Sequence, residues 1–308
     1  MTALRRLVVL LTAILPSVAW ADGLSPQVRE FVRVDAPVVA LTHVRVVDGT
    51  GAKAAEDQTI VVANGKIAAV GSTTATAISE GAEVLALDGK SVIPGLVGMH
   101  NHLFDTAWRN VGDDGRLLAP ALIRDLVSHH VAVTSTIPVF DASTIDEPPN
   151  PRVLAAMSAA QRQSFLAARA RVTPQANART FALVKKEMEF ERAFVAAGGL
   201  LLAGPDPTGN GGTLPGFGDW RGLELLVCAG FSPVEAIGIA SANGAKYLGR
   251  ADRIGTIAAG KDADLVVVDG NPAAAIGGIA DVVIVFKKGV GYDARKLLDS
   301  VTGMVGVK

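Results

Sequence analysis

Short alternating runs of apolar and polar residues characterise both ends of this chain. From Val38 to Leu87 the runs are separated by turn pairs at Asp48-Gly49, Asn64-Gly65 and Asp88-Gly89. The same pattern returns between Ile254 and Gly289. Alternation with a period of two, punctuated by turn residues of this type, predicts antiparallel β-strands. We therefore expect a β layer at each end of the chain.

The middle of the chain alternates between helical and strand patterns. An amphipathic helix is predicted over Leu117–His129 and a strand over Val131–Val139. A second helix is predicted over Gln175–Ala197, followed by a buried strand at Leu200–Gly204. The stripe predicted to face the core of that second helix consists of Phe181, Val184, Met188 and Val195. The segment Ser232–Glu235 has the spacing of a capping box and predicts the start of a further helix. This βα alternation is typical of a parallel-sheet barrel.

The overall composition is that of a soluble globular protein. Hydrophobic residues make up 49% and charged residues 19% of the 308 positions, with a net charge of −1. A charge so close to neutrality argues against nucleic acid or an anionic membrane as a partner. The single cysteine, Cys228, lies in the apolar helical run Gly222–Ala229, so we expect it to be inert core.

The first residues have the pattern of a secretory signal peptide. Arg5 and Arg6 precede the apolar run Leu7–Leu15, and Ala19-Trp20-Ala21 supplies a small-x-small cleavage site. The apolar run is too short to span a bilayer. We expect cleavage after Ala21, a periplasmic or secreted protein, and no membrane contact afterwards. An uncleaved N-terminal anchor is the alternative.

Candidate chemistry begins with two histidines at the end of an apolar run that opens with Pro94 and Gly95. If this run is a strand, His100 and His102 point to the same face, because strand side chains alternate. Two neutral imidazoles side by side can bind a divalent transition metal. The alternative is a pair of exposed histidines without function.

These residues are part of a wider resemblance. The segment Val92–His102 resembles the first barrel strand of the amidohydrolase superfamily, metal-dependent hydrolases that include imidazolonepropionase and prolidase. Val44–Gly51 and Asn64–Gly71 are similar to that family's N-terminal strands. Leu201–Asp206 is similar to its last barrel strand, and Ile254–Val268 to its C-terminal strands. The resemblance covers both ends of the chain.

The resemblance implies an α/β fold, with a (β/α) TIM-type barrel and a composite β-sandwich built from both chain ends. A complete barrel of eight strands typically needs about 250 residues, and the stretch from Pro94 to Gly249 is much shorter. The strands ending at His100, at Val139 and at Gly204 correspond to the first, seventh and eighth, and the second to sixth are missing. We therefore expect an incomplete barrel. The expected divisions are 1–21 (signal peptide), 22–92 and 250–308 (the two parts of the sandwich) and 93–249 (the truncated barrel).

The resemblance also implies a metal site. In the family, the two strand histidines bind one metal, and the aspartate after the last strand binds it and takes a proton from the attacking water. This assigns His100, His102 and Asp206 as metal ligands, and Asp206 as the catalytic proton acceptor. On its position alone, Asp206 could equally be a helix cap or turn residue.

A second metal is not expected. The family's further ligands are a lysine and two histidines on the middle strands. Between Leu103 and Asp206 the only lysines are Lys185 and Lys186, on a predicted helix, and the only histidines are His129 and His130, at the end of another. Lysines and histidines in such positions are ordinarily solvated. His43 falls in the N-terminal β layer and is taken as structural. Three ligands with one open position suit a single zinc ion.

The sequence leaves three functional hypotheses. The first is hydrolysis of a C–N bond in a small amide, cyclic amide or dipeptide, with a homo-oligomer left open. The second is a non-catalytic remnant or incomplete gene product of an amidohydrolase. The third is nucleotide binding by the glycine-rich segment Asp206–Gly218. Leu214 stands where a dinucleotide-binding loop needs its third glycine, which disfavours the third function.

Overall fold

The computed structural model describes residues 23–100, 120–207 and 211–306. Its strands within these ranges are β1 (Val32–Val34), β2 (Val38–Val46), β3 (Ala55–Ala63), β4 (Lys66–Ser72), β5 (Glu83–Ala86), β6 (Lys90–Pro94), β7 (Val133–Ser135), β8 (Leu201–Ala203), β9 (Leu265–Asp269), β10 (Val282–Lys287) and β11 (Val290–Asp293). Its helices are α1 (Pro26–Arg29), α2 (Pro120–Ser128), α3 (Ile137–Asp141), α4 (Pro151–Ala156), α5 (Ala159–Ala170), α6 (Pro174–Ala196), α7 (Phe217–Cys228), α8 (Pro233–Gly238), α9 (Gly244–Tyr247) and α10 (Ala294–Ser300). A π-helical turn, Ile239–Asn243, joins α8 to α9, and a 3₁₀ turn, Ile276–Ala280, precedes β10. No helix in these three ranges is both long enough and apolar enough to cross a membrane.

Strands from both ends of the chain form one mixed nine-stranded sheet. Its order is β1-β11-β10-β9-β6-β2-β3-β4, with β5 paired to β2. The two ends join at the antiparallel pair β6–β9, in which Lys90 lies opposite Asp269 and Pro94 opposite Leu265. A second junction lies at the edge, where β1 pairs with β11. Together with the helices, this large mixed sheet confirms the α/β class predicted from the sequence.

The turn predicted at Asn64-Gly65 is present in the structure. Asn64 and Gly65 connect β3 to β4 with φ angles of 51° and 73°. Both residues are therefore left-handed, as a two-residue hairpin turn that follows the twist of its strands requires. Asparagine and glycine adopt this region at little or no steric cost.

The β6–β9 pair is buried on both of its faces. Val92 and Val267 are 0% exposed and belong to a core formed within the sheet and the loop before β9. Ile93 and Val268, the next residue on each strand, belong to a second core that includes α6, α7 and α8. Because strand side chains alternate between faces, this single pair contributes to both cores. Strands buried on both faces carry continuous apolar runs, as these two do.

A smaller parallel sheet lies on the helical side. β7 pairs with β8 in register from Val133 opposite Leu201 to Ser135 opposite Ala203. The predicted strand Val131–Val139 is therefore right at its start and wrong at its end, because residues from Ile137 onward form α3. Pro138 explains the change, since its fixed φ and missing N–H suit the first turn of a helix.

The expected strand leading to His100 also ends early. β6 stops at Pro94, and the structure assigns no strand to residues 95–100. His102 lies outside the described residues. The prediction of a strand that reaches His100 is therefore wrong, and the shared face of His100 and His102 stays a prediction.

Several helix predictions hold closely. α6 begins and ends one residue before the predicted Gln175–Ala197. α2 ends at Ser128, one residue before the predicted end, and its predicted start at Leu117 lies outside the described residues. The capping box is confirmed: the Ser232 N–H donates to Glu235 Oε2 at 2.7 Å, and the Glu235 N–H donates to Ser232 Oγ at 3.4 Å. α4 and α5 were not predicted, although Asn150 and Ser158 cap their first turns and are the usual signal of a helix start.

Two side chains lie on the surface instead of in the core. Cys228 is exposed because it is the last residue of α7, where the helix reaches solvent. Phe181 is 54% exposed, in the part of α6 that precedes the packed region. The buried residues of α6 are Val184, Phe190, Glu191 and Phe194. The predicted stripe was thus correct at Val184 and wrong at Phe181.

Replacing Val267 by a smaller residue should destabilise the N-terminal strands β2 and β3 as well as β9, the strand that contains it. We expect Val267→Ala to lower the free energy of unfolding by about 1–3 kcal/mol, from lost burial and a residual cavity. Urea denaturation measures the loss, and amide hydrogen exchange at Leu41 and Ile60 reports on β2 and β3. The control is Val84→Ala on β5, where the side chain is 54% exposed and the change should be within about 0.5 kcal/mol. Unchanged protection at Leu41 and Ile60 would contradict a shared core.

Candidate functional site

The chain reaches the candidate site directly from β6. Gly95 N–H donates to Asp264 O at 2.9 Å, Val97 N–H to Ala240 O at 2.8 Å, and Met99 N–H to Ala203 O at 2.9 Å. These bonds place residues 95–100 between the loop before β9, the π-helical turn and the end of β8. They fix the position of His100 without a regular strand.

Asp206 arrives at the same place from β8. Its N–H points to His100 O at 3.4 Å, and two residues earlier Gly204 N–H donates to Ser135 O at 3.0 Å. Asp206 has a φ of 45°, in the left-handed region that aspartate tolerates better than most residues. The segment 95–100, β8 and β7 thus lie side by side, with His100, Asp206 and Ser135 at one end.

The structure brings together two of the three residues singled out from the sequence. His100 Nε2 lies 3.4 Å from Asp206 Oδ1, with the imidazole 41% and the carboxylate 11% exposed. His102 lies outside the described residues. Within the ranges that the structure describes, no cluster of three or more histidine, cysteine, aspartate or glutamate side chains has the arrangement of a metal site.

Gly204 permits the close approach of β8 to His100. A Cβ at this position would lie 2.5 Å from His100 N and 2.6 Å from His100 Cβ. Both distances are well inside van der Waals contact, so any larger residue would displace the histidine. Gly204 was predicted only as the end of a strand, and glycine in such a position is itself a signal of close backbone approach.

A small cavity lies beside Gly204 and Pro205, the residues that lead from β8 to Asp206. Its lining includes Gly98, Ser135, Gly204, Pro205 and Asp219, and its volume of about 10 Å³ leaves room for roughly one water molecule. Burial raises the pKa of the Asp219 carboxyl, while a hydrogen bond from the Gly216 N–H opposes that shift. Asp219 Oδ2 accepts that bond at 3.0 Å, at the start of α7.

Glu191 is a fully buried acidic residue of α6. It is 0% exposed, on the face of α6 that packs against the core. Neither carboxyl oxygen has a hydrogen-bond partner among the described residues. Burial raises its pKa to about 8; the Ser135 hydroxyl lowers it and the Glu187 carboxylate raises it further. The helical period relates Glu191 to Val184 and Phe194, so its place on the buried face of α6 can be found from the sequence.

The other histidines and lysines considered from the sequence lie on the surface. His129 Nδ1 is 2.9 Å from Asp125 O just after α2, and the side chain is exposed. Lys185 and Lys186 are exposed on α6. His43 Nδ1 is 2.9 Å from Asp57 Oδ1 on the surface of the large sheet. The exposure of His129, Lys185 and Lys186 agrees with the solvated positions expected for them.

One family model and several solved structures are similar to this chain. Residues 214–290 match the model of the amidohydrolase family. No curated protein matches the sequence. Among solved structures, bottromycin amidohydrolase is 17% identical with a TM-score of 0.61, covering 91% of this chain and 92% of that one.

Two further structures are of the prolidase type. A protein described as a prolidase from Bifidobacterium longum is 19% identical with a TM-score of 0.56, covering 86% of this chain and 98% of that one. A Xaa-Pro dipeptidase with bound methionine is 15% identical with a TM-score of 0.54, covering 83% and 100%. At these identities the structures establish the fold. With the family match, they confirm the resemblance to the amidohydrolase superfamily.

Gly204 allows a direct test of the site's packing. We expect Gly204→Ala to lower the free energy of unfolding by roughly 1–3 kcal/mol, because the added methyl group overpacks the contact with His100. The control is Gly222→Ala within α7, where the new Cβ would meet Pro138 Cγ at an ordinary 3.5 Å. That change should be neutral or stabilising by up to about 1 kcal/mol, because glycine disfavours helix interiors. Thermal and urea unfolding measure both variants, and equal effects would contradict the close approach.

Proposed function

We propose that this protein is a metal-dependent hydrolase that acts on C–N bonds. The observation that carries the proposal is the pair of His100 Nε2 and Asp206 Oδ1, 3.4 Å apart at the end of two adjacent segments. The family match over residues 214–290 supports the same class. Catalytic residues of parallel barrels lie at the carboxyl ends of their strands, which is where Asp206 stands.

The donors suit one divalent metal ion, and zinc suits them best. Zinc is bound by imidazole nitrogen and carboxylate oxygen at about 2.0–2.2 Å, so two tetrahedral ligands lie roughly 3.3–3.6 Å apart. The His100–Asp206 separation of 3.4 Å falls in that range. We assign His100 and Asp206 as ligands and His102, by the resemblance, as the third. A second metal is not proposed.

Each residue of the proposed metal site would have its own role in the hydrolysis. A bound divalent metal lowers the pKa of water and polarises a carbonyl oxygen. The Asp206 carboxylate accepts a proton from the attacking water and delivers it to the leaving nitrogen. His100 Nε2 faces Asp206 Oδ1 and would supply a nitrogen ligand.

A small amide, cyclic amide or dipeptide is the proposed substrate class. The names of the similar structures, a prolidase, a Xaa-Pro dipeptidase and an amidohydrolase, support it.

We also propose a specific architecture for this function. The segment 95–100, β8 and β7 would be the first, eighth and seventh strands of an incomplete (β/α) barrel spanning 93–249. The mixed sheet would be the composite β-sandwich formed by 22–92 and 250–308. An open barrel holds a nucleophile less rigidly than a closed one, so we expect slow turnover.

Metal analysis tests the proposal. We expect about one weakly held Zn²⁺ per chain after gel filtration, and at least a tenfold loss of affinity in His100→Ala and in Asp206→Asn. His129→Ala, which removes an exposed histidine of similar chemistry, should bind zinc as the wild type does. Slow hydrolysis of an Xaa-Pro dipeptide by the zinc-loaded wild type should disappear in His100→Ala.

Two results would contradict this assignment. Equal, negligible zinc in the wild type and His100→Ala would remove the metal site. Two tightly bound ions with rapid turnover would refute the incomplete barrel. Zinc bound through His100 without any hydrolysis would favour the alternative, a non-catalytic relative of the amidohydrolases.

Export is the remaining part of the proposal. We propose that residues 1–21 are removed and that the mature chain begins at Asp22, on the pattern of Arg5-Arg6, Leu7–Leu15 and Ala19–Ala21. N-terminal sequencing of protein recovered from the periplasm or medium should return Asp22. Recovery of Met1 or Thr2 at the N-terminus would contradict it.

A further inference from the structure

Positive charge is concentrated in one segment of the chain. From Pro148 to Lys186 there is no acidic residue, although the whole chain has 29 basic and 30 acidic residues. The basic residues of this segment are Arg152, Arg162, Arg169, Arg171, Arg179, Lys185 and Lys186. The segment contains α4, α5 and the first half of α6. A net charge of −1 for the chain therefore does not exclude an anionic partner for this segment.

Only some of these cations hold other parts of the fold. Arg152 pairs with Asp281 at 2.9 Å, and Arg169 donates to two backbone carbonyls between α3 and α4. Four other side chains are exposed and have no hydrogen bond or ion pair with any residue that the structure describes. We call these four the basic surface: Arg162, Arg171, Lys185 and Lys186. Their charges are available to a partner.

Large apolar side chains are exposed beside the basic surface. Leu166 is 42% exposed, one turn of α5 after Arg162. Phe181 is 54% exposed, one turn of α6 before Lys185. Residues four apart on a helix are neighbours on its surface. Exposed cations and exposed apolar groups are thus adjacent on both helices, which is typical of helices that lie on a membrane surface.

A third apolar side chain comes from outside α6. Ile145 is 37% exposed, and its N–H donates to Asn177 Oδ1 at 2.8 Å, one turn before Phe181. On α6 itself, Leu183 is 39% exposed and precedes Lys186 by three residues. The apolar groups around the start of α6 therefore form a cluster next to the two lysines.

Two exposed acids border this region. Asp146 Oδ1 accepts a hydrogen bond from Asn177 Nδ2 at 2.9 Å, and Glu189 lies one turn of α6 after Lys185. Neither pairs with a residue of the basic surface among the described residues. They limit the positive region to α5 and the first half of α6.

We propose that α5 and the first half of α6 dock this protein on an anionic phospholipid bilayer. The basic surface contacts the lipid headgroups, and Leu166 and Phe181 enter the boundary between headgroups and acyl chains. A nucleic acid would bind the same cations but leave these two side chains in water, so a bilayer fits the observations better. The docking surface does not depend on the proposed metal site.

Vesicle co-sedimentation tests the docking. The probes are vesicles of mixed phosphatidylglycerol and phosphatidylcholine, with vesicles of phosphatidylcholine alone as the uncharged reference. The assay uses the chain from Asp22 onward, the proposed mature protein, because the apolar run Leu7–Leu15 would itself bind lipid. We expect binding to the anionic vesicles only, and we expect it to weaken as salt is added, because salt screens the charges.

Surface variants separate the two kinds of contact. Lys185→Ala/Lys186→Ala should weaken vesicle binding at least tenfold, because each lysine near an anionic membrane contributes about fivefold. Phe181→Ser should weaken it roughly tenfold through the lost apolar contact. The control Lys53→Ala/Lys246→Ala removes two exposed lysines elsewhere and should bind as the wild type does. All three variants change exposed side chains, so their urea midpoints should stay at the wild-type value.

Three results would overturn the inference. The first is no binding to anionic vesicles, or equal losses in the two double-lysine variants. The second is a labelled single-stranded oligonucleotide that binds as tightly as the vesicles, with no effect of Phe181→Ser on vesicle binding, which would assign the cations to nucleic acid. The third is a dimer in light scattering that Phe181→Ser converts to a monomer, which would assign the apolar cluster to a second copy of the chain. The zinc measurement on His100→Ala is independent of all three.

Discussion

The rest of this structure depends on the antiparallel pairing of β6 with β9. These strands come from opposite ends of the chain, and their side chains alternate between two cores, with Val92 and Val267 on one face and Ile93 and Val268 on the other. The pairing closes the chain on itself and ties the sheet to the helices. Without it, each set of terminal strands would leave an apolar face exposed to water.

The same pairing determines where the candidate site lies. β6 ends opposite Leu265, and Gly95 N–H immediately bonds to Asp264 O, so the chain leaves the sheet in a fixed direction. From there His100 meets β8 within a few residues, and Gly204 provides the space for that contact. Two acidic groups on α6 and α7, Glu191 and Asp219, have pKa values raised by burial. Such groups oppose stability, and proteins commonly tolerate this opposition at functional sites.

The sequence predicted those features whose causes are local. Turn pairs such as Asn64-Gly65, the capping box at Ser232 and the long helix α6 follow from backbone preferences and periodicity, and they lie where expected. Predictions failed where tertiary packing decides. Phe181 has the spacing of a core residue but precedes the packed part of its helix, and residues 95–100 continue an apolar run without extending the strand. The proximity of Asp206 to His100 came from a family resemblance, whereas the role of Gly204 follows only from the packing of β8 on His100.

The central claim is that the folded chain brings His100 and Asp206 together as the donors of one metal site. The most direct test is a crystal structure of the zinc-soaked protein, with anomalous diffraction recorded on both sides of the zinc absorption edge. The account predicts one zinc-specific peak within about 2.0–2.2 Å of both His100 Nε2 and an Asp206 carboxylate oxygen. A zinc peak elsewhere in the chain, or none at a zinc concentration that saturates binding in solution, would contradict it.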